Sequence, residues 1–261
     1  MTDSQPRSAM VFAHPGHELL VAGLMQRLRP HILFLTCADS AGDSERETLA
    51  RQGLEKLGLV EQTTFFSISE HDVYGWLLEG NVAPFLKLRH RLLEWLDAIR
   101  PSQVFGDAFE LSNITHDIGR AVLDSAWREW QEQFPCRNFE LPLVYRTAPE
   151  IWSLRFQEFP NGAFETIQLT PAELECKNSL ADWVSTRHVE AEMVRSFFTL
   201  DKEVYRRVPA DRDYSLPPDG MRLHYDDWGR IQVLRGKYAK PLLFADHFVP
   251  LVRNLPRLAP A

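Results

Sequence analysis

Cysteine is scarce in this 261-residue chain: Cys37, Cys136 and Cys176 lie far apart and form no C-x-x-C pair. That spacing excludes a disulfide framework and argues against thiolate metal sites, and it fits a reducing compartment such as the cytoplasm. Long apolar runs are missing as well. No stretch approaches the ~18 residues needed to cross a bilayer, so no membrane span is expected. The opening MTDSQPRSAM has neither the apolar core nor the small-residue cleavage site of a secretory signal. Positive charge is in deficit, with 29 Lys and Arg against 36 Asp and Glu, a formal net charge of −7 and a pI of about 5.7. A general nucleic-acid binder carries a basic field, so nucleic acid is not expected as a partner. There is no internal repeat, low-complexity tract or clear linker. The chain reads as one domain over residues 1–261, with a core over about 9–170 and a C-terminal extension over about 171–261.

What is present is strong periodicity. Short apolar runs at SAMVFAH, HILFLTCA (31–38), TTFFSI (63–68) and QVFGDAF (103–109) read as buried strands. Between them, residues 17–29, 45–59, 82–100 and 115–134 carry helical spacing. Ser44 and Glu47 have the form of a capping box. Strands alternating with helices of this length give βαβ units and a doubly wound, mainly parallel α/β sheet. Two β-rich runs over 151–170, joined at Asn161-Gly162, predict a C-terminal β-hairpin, and Pro171 opens a helical extension.

Ligands of such sheets bind outside the carboxyl ends of the strands. The loops at 14–17, 39–43 and 107–116 should therefore meet. His14 and His17 flank the break Pro15-Gly16, three residues apart, where one ion is within reach of both rings. His116, near the start of another helix, supplies a third imidazole. Neutral histidines with one position left for water form a catalytic zinc site, and the same shell suits iron, nickel or cobalt. Around His116 stand Asp107, Glu110, Asn113 and Asp117.

The segments AHPGHE and THDIGRAV carry a resemblance to the LmbE-like (PIG-L) N-acetylglucosaminyl deacetylase family, whose motifs are A-H-P-D-D-E after the first strand and H-P-D-H before a later helix. The similarity runs from about residue 9 to 126 and includes LTCADSAG and RQGLEKLGL. It implies a Rossmann-like sheet and zinc-dependent removal of an acetyl group from an amino sugar. By this resemblance His14 and His116 are metal ligands, and His17 stands where the family has a ligand aspartate. Glu18 matches the glutamate that closes the first motif. Gly16 stands where the family has its general-base aspartate, Asn113 where it has a histidine that supports the oxyanion, and Thr115 on a second aspartate.

The metal ligands are thus kept with one exchange while the base is missing. Glu110 and Asp107 are candidate substitutes, with Asp39 at the same sheet edge. Arg46, beside Glu47, lies where the family places polar residues near substrate, and Arg120 is placed one turn into the helix after His116, in position for an anionic group. The family's C-terminal histidine is not clearly reproduced after Lys177. Two functions remain open. One is a metal-dependent amidohydrolase, with zinc as cofactor, acting on a small-molecule or glycoconjugate N-acetyl substrate. The other is a non-catalytic sugar- or metal-binding protein on the same fold. Assembly into a homo-oligomer is compatible with either, and a third option is that the histidines merely pack.

Overall fold

The computed structural model describes residues 7–37, 45–142, 145–148, 151–153, 164–185, 201–217, 223–236 and 238–258. Strand β1 (Ser8–Phe12) is buried along its whole length. Its side chains alternate between two apolar layers, as the two-residue period of a strand requires. Ala9 and Val11 enter one layer, Met10 and Phe12 the other. In β2 (His31–Thr36), Leu33 and Leu35 join the first layer and Ile32 and Phe34 the second. Strands apolar on both faces belong at the centre of a parallel sheet covered by helices.

The sheet also contains β3 (Thr63–Ile68), β4 (Gln103–Asp107), β5 (Arg137–Leu141), β8 (Glu165–Gln168) and β9 (Lys202–Arg207). Its order is β3-β2-β1-β4-β5-β9-β8. The first five strands run parallel, whereas β9 is antiparallel to β5 and β8 to β9. A separate pair joins β6 (Tyr145–Ala148) and β7 (Ile151–Ser153). Helices α3 (Glu70–Leu78), α4 (Ala83–Ile99) and α5 (Ile114–Trp130) bury Val73, Leu92 and Ile118 in the first layer. Helices α1 (Ala22–Leu28), α2 (Glu45–Lys56) and α6 (Pro171–Ser185) bury Leu24, Leu54 and Leu180 in the second. The doubly wound, mainly parallel α/β architecture expected from the sequence is the one found. None of the described helices is long and apolar enough to cross a membrane.

Several local expectations change. The helix predicted from His17 begins as a 3-10 turn, His17–Val21, before α1 takes over. At that junction the Glu203 carboxylate accepts from the amides of Gly23 and Leu24, and Lys177 donates to Leu20 O. Side chains thus satisfy backbone groups around the junction. The hairpin expected across Asn161-Gly162 has its turn outside the described residues, as do Ser44 and its capping box. Of the flanking runs, β7 pairs with β6 and β8 with β9. β5 and α3 had no counterpart in the periodicity.

The C-terminal extension is bound into the core by charge as well as by apolar contact. Glu140 on β5 stands directly opposite Arg206 on β9. Its carboxylate accepts from Arg206 Nε and from both terminal nitrogens of Arg212. Burial alone would raise the Glu140 carboxyl, but the Arg212 and Arg206 guanidiniums outweigh it and hold it at about 2. A carboxyl depressed in the folded state adds stability above its unfolded value near 4.5 that is lost as pH falls toward about 2. Glu140→Gln removes the buried carboxylate charge that Arg206 and Arg212 share, at a cost of about 3–5 kcal/mol. Chemical denaturation across pH 2–7 should show that loss at neutral pH, together with a flatter acid limb below pH 4.5.

Candidate metal centre

β1 and β4 lie side by side at the middle of the sheet, so the loops leaving their carboxyl ends border the crevice where such folds bind ligands. After β1 the chain turns sharply through Gly16, whose φ is +113°. An added Cβ there would meet nothing within 4 Å, so the glycine answers a backbone need rather than a lack of room. Glu18 folds back onto this turn and accepts from the Gly16 amide at 2.6 Å. Burial raises its carboxyl to about 7. On the neighbouring strand, Gly106 lets α5 approach, since a Cβ would stand 2.5 Å from Leu123 Cδ2. Asn113 caps α5, its Oδ1 accepting from Thr115 N at 2.9 Å. His116 follows in the first turn.

The result is a cluster of His14, His17 and His116, all buried, whose ligand atoms lie within 4.8 Å of one another. His14 Nε2 and His116 Nε2 are 3.1 Å apart. Two nitrogens each ~2.0 Å from one tetrahedral zinc are separated by about 3.3 Å, so the pair matches the bite of such an ion. The opposite ring nitrogens face acceptors. His14 Nδ1 is 3.0 Å from Pro15 O, His17 Nδ1 is 2.9 Å from Asp107 Oδ2, and His116 Nδ1 is 3.7 Å from Glu110 Oε2. Metal-binding imidazoles are oriented in this way, through the ring nitrogen that does not bind the ion; the His14 and His17 contacts are within hydrogen-bond distance, and that of His116 is longer. Burial, then the charges of His14 and Arg46, push the His17 pKa well below its ordinary value, and ligation requires a neutral ring. The donor set suits a divalent cation.

Asp107 and Glu110 therefore come together with the histidines, but behind them. Asp107 Oδ2 also accepts from Ala13 N at 2.7 Å, and desolvation raises its carboxyl. Asp117, next to His116, takes the amides of Glu110 and Leu111 on Oδ1, and burial raises it to about 8. Arg46 is half-buried and near enough for its charge to act on His17 and Glu18.

Arg120, expected to meet an anionic substrate group, is instead 1% exposed. Its guanidinium pairs with Asp124 and donates to Asn138 Oδ1 and Phe139 O, so it braces α5 against β5. Lys177 is likewise buried, 2.9 Å from Glu203 Oε1. Asp39 lies outside the described residues. Sequence reasoning misses Glu70, the first residue of α3, whose Oε1 is 3.9 Å from His14 Nε2. The strand-end rule applied to β3 as well would have found it.

The conserved protein TT1542 from Thermus thermophilus superposes with a TM-score of 0.53 at 17% identity, over 79% of this chain and 99% of that one. The two share a fold. A deacetylase triple mutant from the teicoplanin biosynthetic pathway gives 0.49 at 13% identity, over 78% of this chain and 100% of that one. No family model matches the chain, and no curated protein does. The mainly parallel α/β topology is thus shared with a protein of known structure.

Four substitutions test the centre. Mass spectrometry should find about one equivalent of zinc in the wild type and none in His17→Ala or His116→Ala. Asp107→Asn should retain the ion with ~10–100-fold weaker affinity, read by competition with a chelator. Gly16→Asp should lower the melting temperature, since a side chain at this φ costs about 1–3 kcal/mol despite the free space.

Proposed function

We propose that this protein is a metal-dependent amidohydrolase that removes the acetyl group from an N-acetylated amino sugar or glycoconjugate precursor, with zinc as its metal. The observation that carries this reading is the buried cluster of three imidazoles at the carboxyl ends of β1 and β4, read with the motifs AHPGHE and THDIGRAV. His14, His17 and His116 would hold the ion. When bound, it supplies Lewis acidity toward a carbonyl oxygen and lowers the pKa of water.

The chain's own groups do the rest. Asp107 and Glu110 orient the imidazoles of His17 and His116 and balance charge behind them. Arg46, half-buried beside His17 and Glu18, meets polar groups of the substrate. Asn113 uses its Oδ1 in the helix cap, which leaves Nδ2 as a donor for the acyl oxygen. A second reading, a binding protein without turnover, draws on Gly16, which carries no carboxylate where the resemblance places the base.

Acetate release from N-acetyl-D-glucosamine and related N-acetyl sugars separates the two. The zinc-loaded wild type should release acetate. Chelation should abolish release, zinc should restore it, and His116→Ala should show none. A fully metallated wild type inactive across such a panel would favour the binding protein.

A further inference from the structure

Amide hydrolysis needs a group that takes a proton from the attacking water and passes one to the departing nitrogen. Such help is typically worth ~10²–10⁴-fold in rate. Position 16 cannot provide it, being glycine. Asp107 and Glu110 are 2% and 0% exposed and approach the imidazoles from the Nδ1 side. Glu18 is turned onto the Gly16 amide.

Glu70 stands on the other side. Its Oε1 is 3.9 Å from His14 Nε2, the nitrogen that faces His116. That oxygen is buried and accepts no hydrogen bond among the described residues, although the residue as a whole is half-buried. An unpaired carboxylate oxygen is costly to bury, and here it is aimed at the centre.

The backbone that brings it there is specifically shaped. The β2–β3 ladder gains one residue on β3, for Phe34 pairs with Phe65 but Thr36 pairs with Ile68. Ser67 within this bulge adopts φ +52°, a conformation that a non-glycine residue holds only when its surroundings impose it. Bulges of this kind redirect side chains next to active sites. The buried Ser69 then caps α3 by accepting from His71 N, and Val73 and Leu77 fix the helix in the core. Glu70 therefore projects from the first turn of an anchored helix, not from a loose loop.

We propose that Glu70 is the acid–base residue of this site, supplying from β3–α3 the carboxylate that the turn after β1 lacks. The inference rests on the amidohydrolase reading. The water oxygen bonds to the acyl carbon as its proton passes to Glu70 and the carbonyl π pair moves onto the acyl oxygen. That pair then returns to re-form the C=O bond as the C–N bond breaks, the C–N electron pair stays on nitrogen, and Glu70 returns the proton there. The products are acetate and the free amine, which takes up the proton that the carboxylic acid sheds.

The test compares wild type, Glu70→Gln and Glu110→Gln for zinc content, melting temperature, acetate release and affinity for acetohydroxamic acid by calorimetry. That acid chelates a metal and gives up its proton to a neighbouring base. Glu70→Gln should keep its zinc and its melting temperature. It should bind acetohydroxamic acid roughly tenfold or more weakly, the loss of a charge-assisted hydrogen bond, and release acetate ~10²–10⁴-fold more slowly. Glu110→Gln should affect hydroxamate binding less. Unchanged hydroxamate affinity in Glu70→Gln would overturn the proposal, and so would loss of zinc, which would make Glu70 a ligand. If metallated wild type binds acetohydroxamic acid yet releases no acetate, the amidohydrolase reading fails, while the hydroxamate comparison still supports or overturns Glu70 as the proton acceptor.

Discussion

Asp107 Oδ2 receives the Ala13 amide at 2.7 Å and lies 2.9 Å from His17 Nδ1. One buried oxygen thereby fastens the end of β4 to the end of β1 and fixes the rotation of an imidazole. Ala13 is the residue from which the chain turns toward His14, and its own carbonyl accepts both the amide and the hydroxyl of Thr36 on the β2 side. Three neighbouring strand ends are thus locked at one point. Moving any of them would leave a buried amide or carboxylate unpaired, at about 1–3 kcal/mol each.

The same logic extends outward through buried charge. Glu203 on β9 holds two amides at the start of α1 while pairing with Lys177 of α6. Glu140 on β5 clamps Arg206 and Arg212, and Asp124 on α5 gathers Arg120, Asn138 and Tyr214. Each cluster joins an element of the parallel core to one from elsewhere in the chain. Such pairs add little net stability over an apolar equivalent, but breaking one partner is expensive. They specify where the C-terminal segments dock, and through α1 they bear on the turn that carries His17.

The division of labour among carboxylates follows from side. Asp107 and Glu110 approach from behind the rings, in a place from which the sheet excludes water, and suit orientation. Glu70 approaches from the front, where the facing imidazole nitrogens lie. Three acids thus stand on two sides of one cluster, distinguished by which ring nitrogen each one meets.

Much of this was legible in the sequence because it is local. The short continuous apolar runs in SAMVFAH and HILFLTCA determined central strands, and the absence of long apolar runs left no candidate for a membrane-crossing helix. His14, His17 and His116 could be grouped because strand ends in a parallel sheet converge by rule. The side from which a carboxylate meets an imidazole is not local. Asp107 and Glu110 were visible as acids near the site, yet only the packed loops showed them on the Nδ1 side. Arg120 read as a contact for an anionic group one turn from His116, and only the docking of β5 made it a buried brace. The strand-end rule places Glu70 near the crevice, but its approach to His14 depends on a one-residue bulge and a left-handed serine, neither of which has a hydrophobic period to announce it. The sequence by itself determined the sheet and its three imidazoles, because periodicity and strand-end convergence are properties of short segments. Tertiary structure decided which acids face the centre, because that depends on the register between strands distant along the chain.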